Sequence, residues 1–161
     1  MADKRYLTKA GHERFVKEHD RLWNVERRQV VLEVQTAAAH GDRSENAEYI
    51  YGKKRLREID RRLQYLEKLL DEAVVVDPAE QRAAGRVVFG AFVTVEDEEG
   101  GRSTYQLVGP DEVDASHGRI SLESPLGRAL LGKRREQTVL VRRPKGELEL
   151  TILEILVQAA E

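Results

Sequence analysis

Two acidic side chains stand close together in a short break between two helix-forming stretches of the chain. Asp42 and Glu45 are three residues apart, and this spacing places both carboxylates on the same side of a first helical turn. One interpretation is a capping box, in which both carboxylates bind backbone N–H groups at the start of a helix. The other is a ligand pair for a hard cation such as Mg²⁺. Two carboxylates alone cannot enclose Mg²⁺, so the pair would complete a metal site that belongs largely to another molecule.

A run of basic side chains follows these acidic residues. Residues 53–62 contain six basic and two acidic side chains. On a helix, the outer face of this run holds Lys54, Arg57 and Arg61, while Arg55 and Arg62 flank the apolar seam. One interpretation is a solvated helix face joined by ion pairs such as Lys54 with Glu58. The other is a surface that follows the phosphates of a nucleic acid, without sequence preference and with strong salt dependence.

The sequence contains no other arrangement that indicates a self-contained active site. It has no cysteine, which excludes disulfide scaffolds, thiolate zinc sites and cysteine nucleophiles. Its four histidines are scattered along the chain, and glycine-rich phosphate loops and zinc-protease motifs are absent. The residues alone therefore indicate no self-contained catalytic centre.

The first half of the sequence predicts a long helical hairpin. The stretch from Thr8, a plausible N-cap, to Ala73 has no proline. Its first helix has apolar residues at heptad spacing, namely Phe15, Leu22, Val25, Leu32 and Ala39. The second helix has a more regular row of residues spaced by three and four positions. We call such a row the seam, and it consists of Tyr49, Gly52, Leu56, Ile59, Leu63, Leu66, Leu70 and Ala73. Between them, Gly41 is a natural C-cap, and Asp42 or Ser44 can cap the second helix. So short a break predicts antiparallel arms, each about 45 Å long.

The second half of the sequence has the pattern of a small β-domain. Five stretches rich in β-branched residues, separated by glycine and proline turns, predict strands. These stretches are 85–95, 103–108, 119–122, 138–142 and 147–155. One short helix is predicted, with Ser124 as N-cap, Pro125 at its first position and Gly132 at its end. We predict an α+β chain with a coiled-coil hairpin at 1–77, a globular domain at 78–161 and a linker near 74–84.

The composition is consistent with an elongated element that is exposed to solvent. Charged residues make up 35% of the 161 residues, compared with about 25% in a typical soluble protein. The 27 basic and 29 acidic residues give a net charge of -2, which excludes a generally basic DNA-coating protein but not a local basic face. No apolar run approaches the roughly 18 residues of a membrane span, and the N-terminus lacks a signal peptide. We expect a soluble, cytoplasmic protein.

Two long motifs carry a resemblance to a known family. The first is the string GDRSENAEY at 41–49 with YGKKRLREIDRR at 51–62. The second comprises GRVVFGA at 85–91, YQLVG at 105–109 and ISLESPLGRALLGK at 120–133. The sequence resembles the bacterial Gre transcript cleavage factors, and it is closer to GreB than to GreA. This resemblance covers nearly the whole chain in order, and it implies a coiled-coil hairpin followed by an FKBP-like domain.

The resemblance also implies a partner and a role for each candidate residue. Gre factors bind bacterial RNA polymerase, insert the hairpin through its secondary channel and stimulate the polymerase's own cleavage of backtracked RNA. Asp42 and Glu45 match the acidic tip pair, which helps to hold Mg²⁺ jointly with the polymerase. The basic residues that match the RNA-contacting face are Lys53, Lys54, Arg57 and Arg61. Glu123 and Pro125 match the polymerase-docking motif, although the family commonly has Asp where Glu123 stands.

Two alternatives stay open at this point. A Gre-like regulator would occupy the same channel and modulate the polymerase without cleavage, although such a protein has no evident need for Asp42 and Glu45. A peptidyl-prolyl isomerase would rest only on the fold of the second half, which does not determine function. We expect no membrane partner, no metal on the isolated protein, and a monomer when the protein is free.

Overall fold

The structure, a computed structural model, describes residues 4–41, 45–77 and 85–157. It divides into two compact units, of which the first covers His12–Ala73 and the second covers Lys4–Gly11 with the residues from Val74 onwards. The sequence analysis placed all of 1–77 in the hairpin. The N-terminal segment groups instead with the second unit, because the short strand β1 (Arg5–Thr8) pairs with β2 (Ala73–Val76).

The first unit is a helical hairpin. Its first arm consists of α1 (Lys9–Arg21), a π-helical turn (Leu22–Glu26) and α2 (Arg27–Ala38), and its second arm is α3 (Ala47–Glu72). An apolar core joins the two arms, with Leu22 and Val30 of the first arm buried among residues of α3. The α3 residues of this core are Ile59, Leu63 and Leu66. Thr8 is the N-cap of α1 as predicted, since its hydroxyl accepts a hydrogen bond from the Gly11 N–H at 2.9 Å.

The predicted seam of the first arm is wrong beyond Leu22. Val25 is 56% exposed and Leu32 is 63% exposed. The buried or half-buried positions are instead Val30, Val34 and Ala37. The cause is the π-helical turn, in which the Arg27 N–H bonds to the Leu22 carbonyl five residues back. A π-helical turn inserts one extra residue into the helix, so Val30 and Ala37 are buried one position after Gln29 and Thr36, where a heptad count places the seam.

The predicted seam of the second arm is confirmed along most of its length. Ile59, Leu63 and Leu66 are buried, and Gly52 is buried where the two arms approach closely. A Cβ atom at Gly52 would lie 2.7 Å from Cγ2 of Val34, so the absence of a side chain permits this contact. Near the end of α3 the fully buried residue is Leu69 rather than the predicted Leu70, which is only half-buried.

The second unit contains a five-stranded sheet in the order β5-β4-β3-β7-β6. Its strands are β3 (Phe92–Glu96), β4 (Arg102–Val108), β5 (Arg119–Ser121), β6 (Thr138–Arg143) and β7 (Gly146–Leu156). Neighbouring strands are antiparallel except β4 and β5, which are parallel. Alternate apolar residues of the strands, such as Val93, Val95 and Ile152, form a buried core together with Leu130 of a short helix.

That short helix, α4 (Pro125–Leu130), matches the prediction. The Ser124 hydroxyl accepts a hydrogen bond from the Gly127 N–H at 3.0 Å, and Gly132 has a positive φ of 79° after the helix ends. The predicted strand at 85–95 begins only at Phe92, because Gly85 and Gly90 have positive φ angles that interrupt extended backbone. No helix in the described part of the chain is both long enough and apolar enough to cross a membrane.

Candidate functional site

The end of the hairpin, which we call the tip (residues 39–46), is closed by one asparagine. Asn46 is the N-cap of α3, and its side-chain oxygen accepts a hydrogen bond from the Tyr49 N–H at 3.1 Å. Its side-chain NH₂ group donates to the carbonyl of Ala37 at 2.7 Å, in the last turn of α2. One side chain therefore joins the end of one arm to the start of the other.

This geometry corrects the predicted cap of α3. The sequence analysis assigned the cap to Asp42 or Ser44, both of which lie outside the described residues, whereas the structure assigns it to Asn46. Glu45 precedes the cap and is exposed to solvent. It therefore lies outside the first helical turn, and the predicted capping-box role of Glu45 is wrong. Gly41 has a positive φ of 123°, as expected for a glycine that follows a helix end.

We predict that Asn46→Ala destabilises the start of α3. The change removes a side-chain cap, which costs about 1 kcal/mol, and it also removes the bond to the Ala37 carbonyl. Amide hydrogen exchange at Tyr49 should become about fivefold faster or more, because about 1.4 kcal/mol corresponds to a factor of ten. Asn46→Asp is the matched control, since it keeps the cap acceptor but loses the donor. Equal protection in Asn46→Ala and the parent protein would show that the tip is held by other contacts.

The six basic side chains of residues 53–62 divide into two groups, which differ in whether they form ion pairs. The first group consists of four exposed side chains, namely Lys53, Lys54, Arg57 and Arg61, whereas Arg62, which is also exposed, belongs to the second group. At about 100° per residue the four side chains of the first group fall within an arc of about 100° on α3, and we call this surface the basic face. No ion pair of these four side chains is found within residues 4–41, 45–77 and 85–157. The predicted ion pair of Lys54 with Glu58 is not found among the described contacts. Glu58 pairs instead with Arg55, whose Nη1 atom lies 3.6 Å from Glu58 Oε2.

The other two arginines of the run hold the arms together. Arg55 donates to Glu26 at 3.2 Å, and Arg62 donates two hydrogen bonds to Glu18 at 2.7 and 2.9 Å. The side-chain hydrogen bond with Glu18 raises the pKa of Arg62 above its ordinary value. Arg55 and Arg62 therefore form ion pairs between the two arms, as the first interpretation of the basic run expects. The basic face is exposed, and its contact with a nucleic acid stays a prediction.

Glu123 and Pro125 lie at the start of α4 in the second unit, and both are exposed. The Glu123 N–H donates to the Ser121 hydroxyl at 3.0 Å, which fixes the backbone before the helix. Pro125 lines an open groove of about 650 Å³ on the same unit. The apolar lining includes Val113, Ile120, Leu126 and Leu148, and basic residues of the lining are Arg119, Arg143 and Lys145.

A cluster of Asp114, Ser116 and His117 near this groove has residue types that could suggest nucleophilic catalysis. The Asp114 carboxylate accepts hydrogen bonds from the Ser116 hydroxyl at 2.5 Å and from His117 Nδ1 at 2.7 Å. These bonds, first that of Ser116 and then that of His117, lower the pKa of Asp114 to about 2. The serine proton is therefore directed at the carboxylate rather than at the imidazole, and the cluster caps a turn instead of activating Ser116.

Metal ligands are sparse in the part of the chain that the structure describes. It contains no group of three or more histidine, aspartate or glutamate side chains that could hold a metal ion. Glu45 offers one exposed carboxylate at the tip, and Asp42 lies outside the described residues. A single oxygen ligand, or a pair, cannot complete the octahedral coordination that Mg²⁺ takes.

Comparison with known proteins matches both halves of the chain to models of one protein family. Residues 5–75 match the family described as "Transcription elongation factor, N-terminal", and residues 81–156 match "Transcription elongation factor, GreA/GreB, C-term". Transcription elongation factor GreB of Yersinia pestis is 50% identical over 155 residues, which cover 96% of this chain and 90% of that protein. GreB of Pseudomonas aeruginosa is 52% identical over 151 residues, with coverages of 92% and 88%. The chain belongs to the GreA/GreB family of transcription elongation factors.

This Gre factor is closer to GreB than to GreA, as the sequence analysis predicted. A solved structure of GreA factor homolog 1 (Gfh1) of Thermus thermophilus is 29% identical. It has a TM-score of 0.43, and the match covers 94% of this chain and 98% of that chain. The sequence analysis missed Asn46 as the residue that closes the tip of the Gre factor. An asparagine directly before the helix-forming residues Ala47 and Glu48 was the available signal.

Proposed function

We propose that this Gre factor binds RNA polymerase and stimulates the polymerase's own endonucleolytic cleavage of backtracked RNA. In this proposal the hairpin tip enters through the secondary channel, and cleavage rescues arrested complexes. The observation that carries the proposal is the exposed Glu45 before the first turn of α3, followed on the same helix by the exposed basic face. The factor itself is not a nuclease, because the acidic pair supplies too few ligands for a complete metal site.

Each group of residues has a defined task in this proposal. Asp42 and Glu45 would help to hold Mg²⁺ jointly with the polymerase, and they would orient the water that attacks the phosphodiester. When bound, such a metal ion supplies charge stabilisation and an activated water for phosphodiester hydrolysis. Glu45 is not committed to capping α3, because Asn46 performs that role. The acidic group at position 45 is therefore available to a partner.

In this proposal the basic face contacts the extruded RNA. Lys53 is six residues beyond the start of α3 at Ala47, and Arg61 is fourteen residues beyond it. At about 1.5 Å per residue, the basic face therefore extends from about 9 Å to about 21 Å behind the start of the helix. RNA that leaves a cleavage site at the tip would pass along these side chains, and their charges would neutralise its phosphates.

In this proposal the second unit docks on the polymerase. Glu123 and Pro125 are exposed at the start of α4, and Pro125 borders the apolar groove. An apolar groove with polar groups at its edge suits a protein partner. In this account the second unit provides most of the affinity for the polymerase, and the tip provides the effect on the reaction.

The test is an RNA release assay with a backtracked elongation complex in the presence of Mg²⁺. The proposal expects the factor to accelerate release of RNA 3′ fragments, and it expects no cleavage of the same RNA when polymerase is omitted. Slowed RNA synthesis without fragment release would identify a secondary-channel regulator that does not stimulate cleavage. Cleavage of free RNA would identify an independent nuclease. Either of these two results would overturn the proposed function.

A further inference from the structure

An open groove of about 500 Å³ lies between the two arms of the hairpin, beside the start of α3. Each arm contributes one exposed apolar side chain to the groove, Leu32 from α2 and Tyr51 from α3, and Tyr51 is 72% exposed. Leu32 lies at the surface because the π-helical turn shifts the buried face of the first arm. The groove therefore presents apolar surface that the core of the hairpin does not use.

The aromatic ring of Tyr51 has an uncovered face. Two other aromatic rings of the hairpin are covered by a guanidinium group. Arg27 lies 5.4 Å from the ring centroid of Trp23, and Arg62 lies 5.1 Å from that of Tyr65. Within residues 4–41, 45–77 and 85–157, no cation covers the ring of Tyr51. An aromatic face without such a partner is available to stack on another flat group.

The charges near the groove favour a nucleobase over a phosphate in it. The charged residues that line the groove, among them the exposed Glu33, are acidic, so they repel phosphates. The basic face is close by, because Tyr51 is three positions before Lys54 on α3. Residues at this spacing are neighbours on a helix surface, with about 5–6 Å between their Cβ atoms. A phosphate bound by Lys54 would therefore bring a neutral base within reach of Tyr51.

We propose that Tyr51 stacks on a base of the extruded RNA, so that the hairpin binds this RNA through a nucleobase as well as through phosphates. This inference rests on the proposed function, in which the tip meets backtracked RNA. Tyr51 is four residues beyond the start of α3 at Ala47, which is about 6 Å along the helix, whereas the basic face begins at about 9 Å. Extruded RNA would therefore meet Tyr51 before the basic face. Stacking tolerates any base, because every base has a π-face.

Substitutions at Tyr51 separate stacking from simple apolar contact. Tyr51→Leu keeps an apolar side chain but loses the ring, and we expect it to weaken binding to a backtracked complex about tenfold, as Tyr51→Ala does. Tyr51→Phe keeps the ring and should bind within about twofold of the parent factor. The measurement is the dissociation constant without Mg²⁺, so that no RNA is cleaved during the titration.

Val25→Ala is the matched control for the loss of exposed apolar surface. Val25 is exposed on the same hairpin but does not line the groove, so its substitution should change binding by less than about twofold. Parental binding by Tyr51→Leu would show that the ring is not the contact. Equal losses for Tyr51→Leu and Val25→Ala would show that the groove has no special role. Either result would overturn the inference.

An abasic nucleotide tests the same contact from the RNA. In a set of backtracked complexes, each extruded position in turn carries one abasic nucleotide. For the parent factor we expect one position, among those nearest the cleaved bond, at which binding weakens about tenfold. At that position Tyr51→Ala should lose less than about twofold more, because its stacking contact is already absent. Equal losses in both proteins would show that the base contacts another group, and would overturn the inference.

Two other occupants of the groove give different results in these experiments. If Tyr51→Leu weakened binding but no abasic position did, the groove would contact the polymerase itself. If the free factor formed a dimer in sedimentation that Tyr51→Ala abolished, the groove would bind a second copy of this chain. Each of these results would overturn the assignment to RNA.

Separate measurements of binding and cleavage distinguish this inference from the proposed function. Base-dependent binding without accelerated release of RNA fragments would overturn the proposed function and leave the stacking role of Tyr51 intact. Accelerated fragment release by the parent factor, with parental binding by Tyr51→Leu and no sensitive abasic position, would support the proposed function and overturn this inference alone.

Discussion

Asp42→Asn combined with Glu45→Gln should lower the saturating rate of RNA fragment release by about 100-fold or more. The two amides keep the size and much of the hydrogen bonding of the carboxylates, but they lose the negative charges that a hard cation requires. Binding of the variant to the polymerase should change by less than about twofold, since the proposed docking residues Glu123 and Pro125 are untouched. The measurement is single-turnover cleavage of a backtracked complex at saturating factor.

The matched control for the tip variant is Glu48→Gln. Glu48 is an exposed acidic residue in the first turn of α3, three positions after Glu45. Its neutralisation removes a charge from the same region without removing a proposed ligand, so we expect cleavage within about twofold of the parent rate. If Glu48→Gln impaired cleavage as strongly as the tip variant, general negative charge rather than specific ligands would explain the activity. A parental rate for the tip variant would refute the mechanism outright.

Removing charges from the basic face should weaken the salt dependence of binding to a backtracked complex. Lys54→Gln with Arg61→Gln removes two exposed charges from α3. If each contacts one RNA phosphate, the slope of log affinity against log salt should become less negative by about 1.4, from about 0.7 per contact with a single strand. The affinity at low salt should also fall about tenfold or more. The measurement is a binding titration at several salt concentrations between about 50 and 200 mM.

The chain offers a close control for this second prediction. Arg55 and Arg62 follow Lys54 and Arg61 by one residue each, and they are ion-paired to Glu26 and Glu18 across the hairpin. Arg55→Gln with Arg62→Gln therefore removes the same charge from the same turns, but it should leave the salt slope unchanged and lower the thermal stability of the hairpin. Equal salt slopes for the two double variants would mean that the basic face does not contact RNA phosphates.

The sequence predicts the elements of this fold well where the side-chain pattern and the local backbone agree. The seam of α3 follows from regular heptad spacing, and α4 follows from Ser124, Pro125 and Gly132, which set its beginning and end. The first arm is different. The π-helical turn at Leu22–Glu26 keeps helical residue types while adding one residue to a turn, so no composition signal marks the shift that exposes Val25 and Leu32.

The short strands and the buried contacts are the features that local reasoning could not provide. Strands β1 and β2 are four residues each and directly adjoin long helices, so their pairing depends on residues about 70 positions apart in sequence. The Glu112 carboxylate meets Thr8 across 104 positions. A glutamate in a Pro-Asp-Glu turn has the sequence pattern of an ordinary exposed residue, and only the tertiary structure shows that it is buried.

The site is predictable in its residue types and less so in its geometry. Spacing alone favoured a helical capping role for Asp42 and Glu45, because two acids three residues apart suit a first turn. Asn46 takes that role, since its side chain can bind both the Tyr49 N–H and the Ala37 carbonyl, which an acidic side chain cannot do. A carboxylate lacks the N–H donor that the second bond requires. Glu45 is thereby left before the helix and exposed.

The Mg²⁺ dependence of cleavage tests most directly the claim that the tip carboxylates complete a metal site of the polymerase. The measurement is the rate of fragment release from a backtracked complex as a function of Mg²⁺ concentration, with no factor, with the parent factor and with the Asp42→Asn, Glu45→Gln variant. We predict that the parent factor lowers the half-saturating Mg²⁺ concentration about tenfold or more, and that the variant leaves it at the value without factor. An equal Mg²⁺ requirement with and without the parent factor would contradict the account.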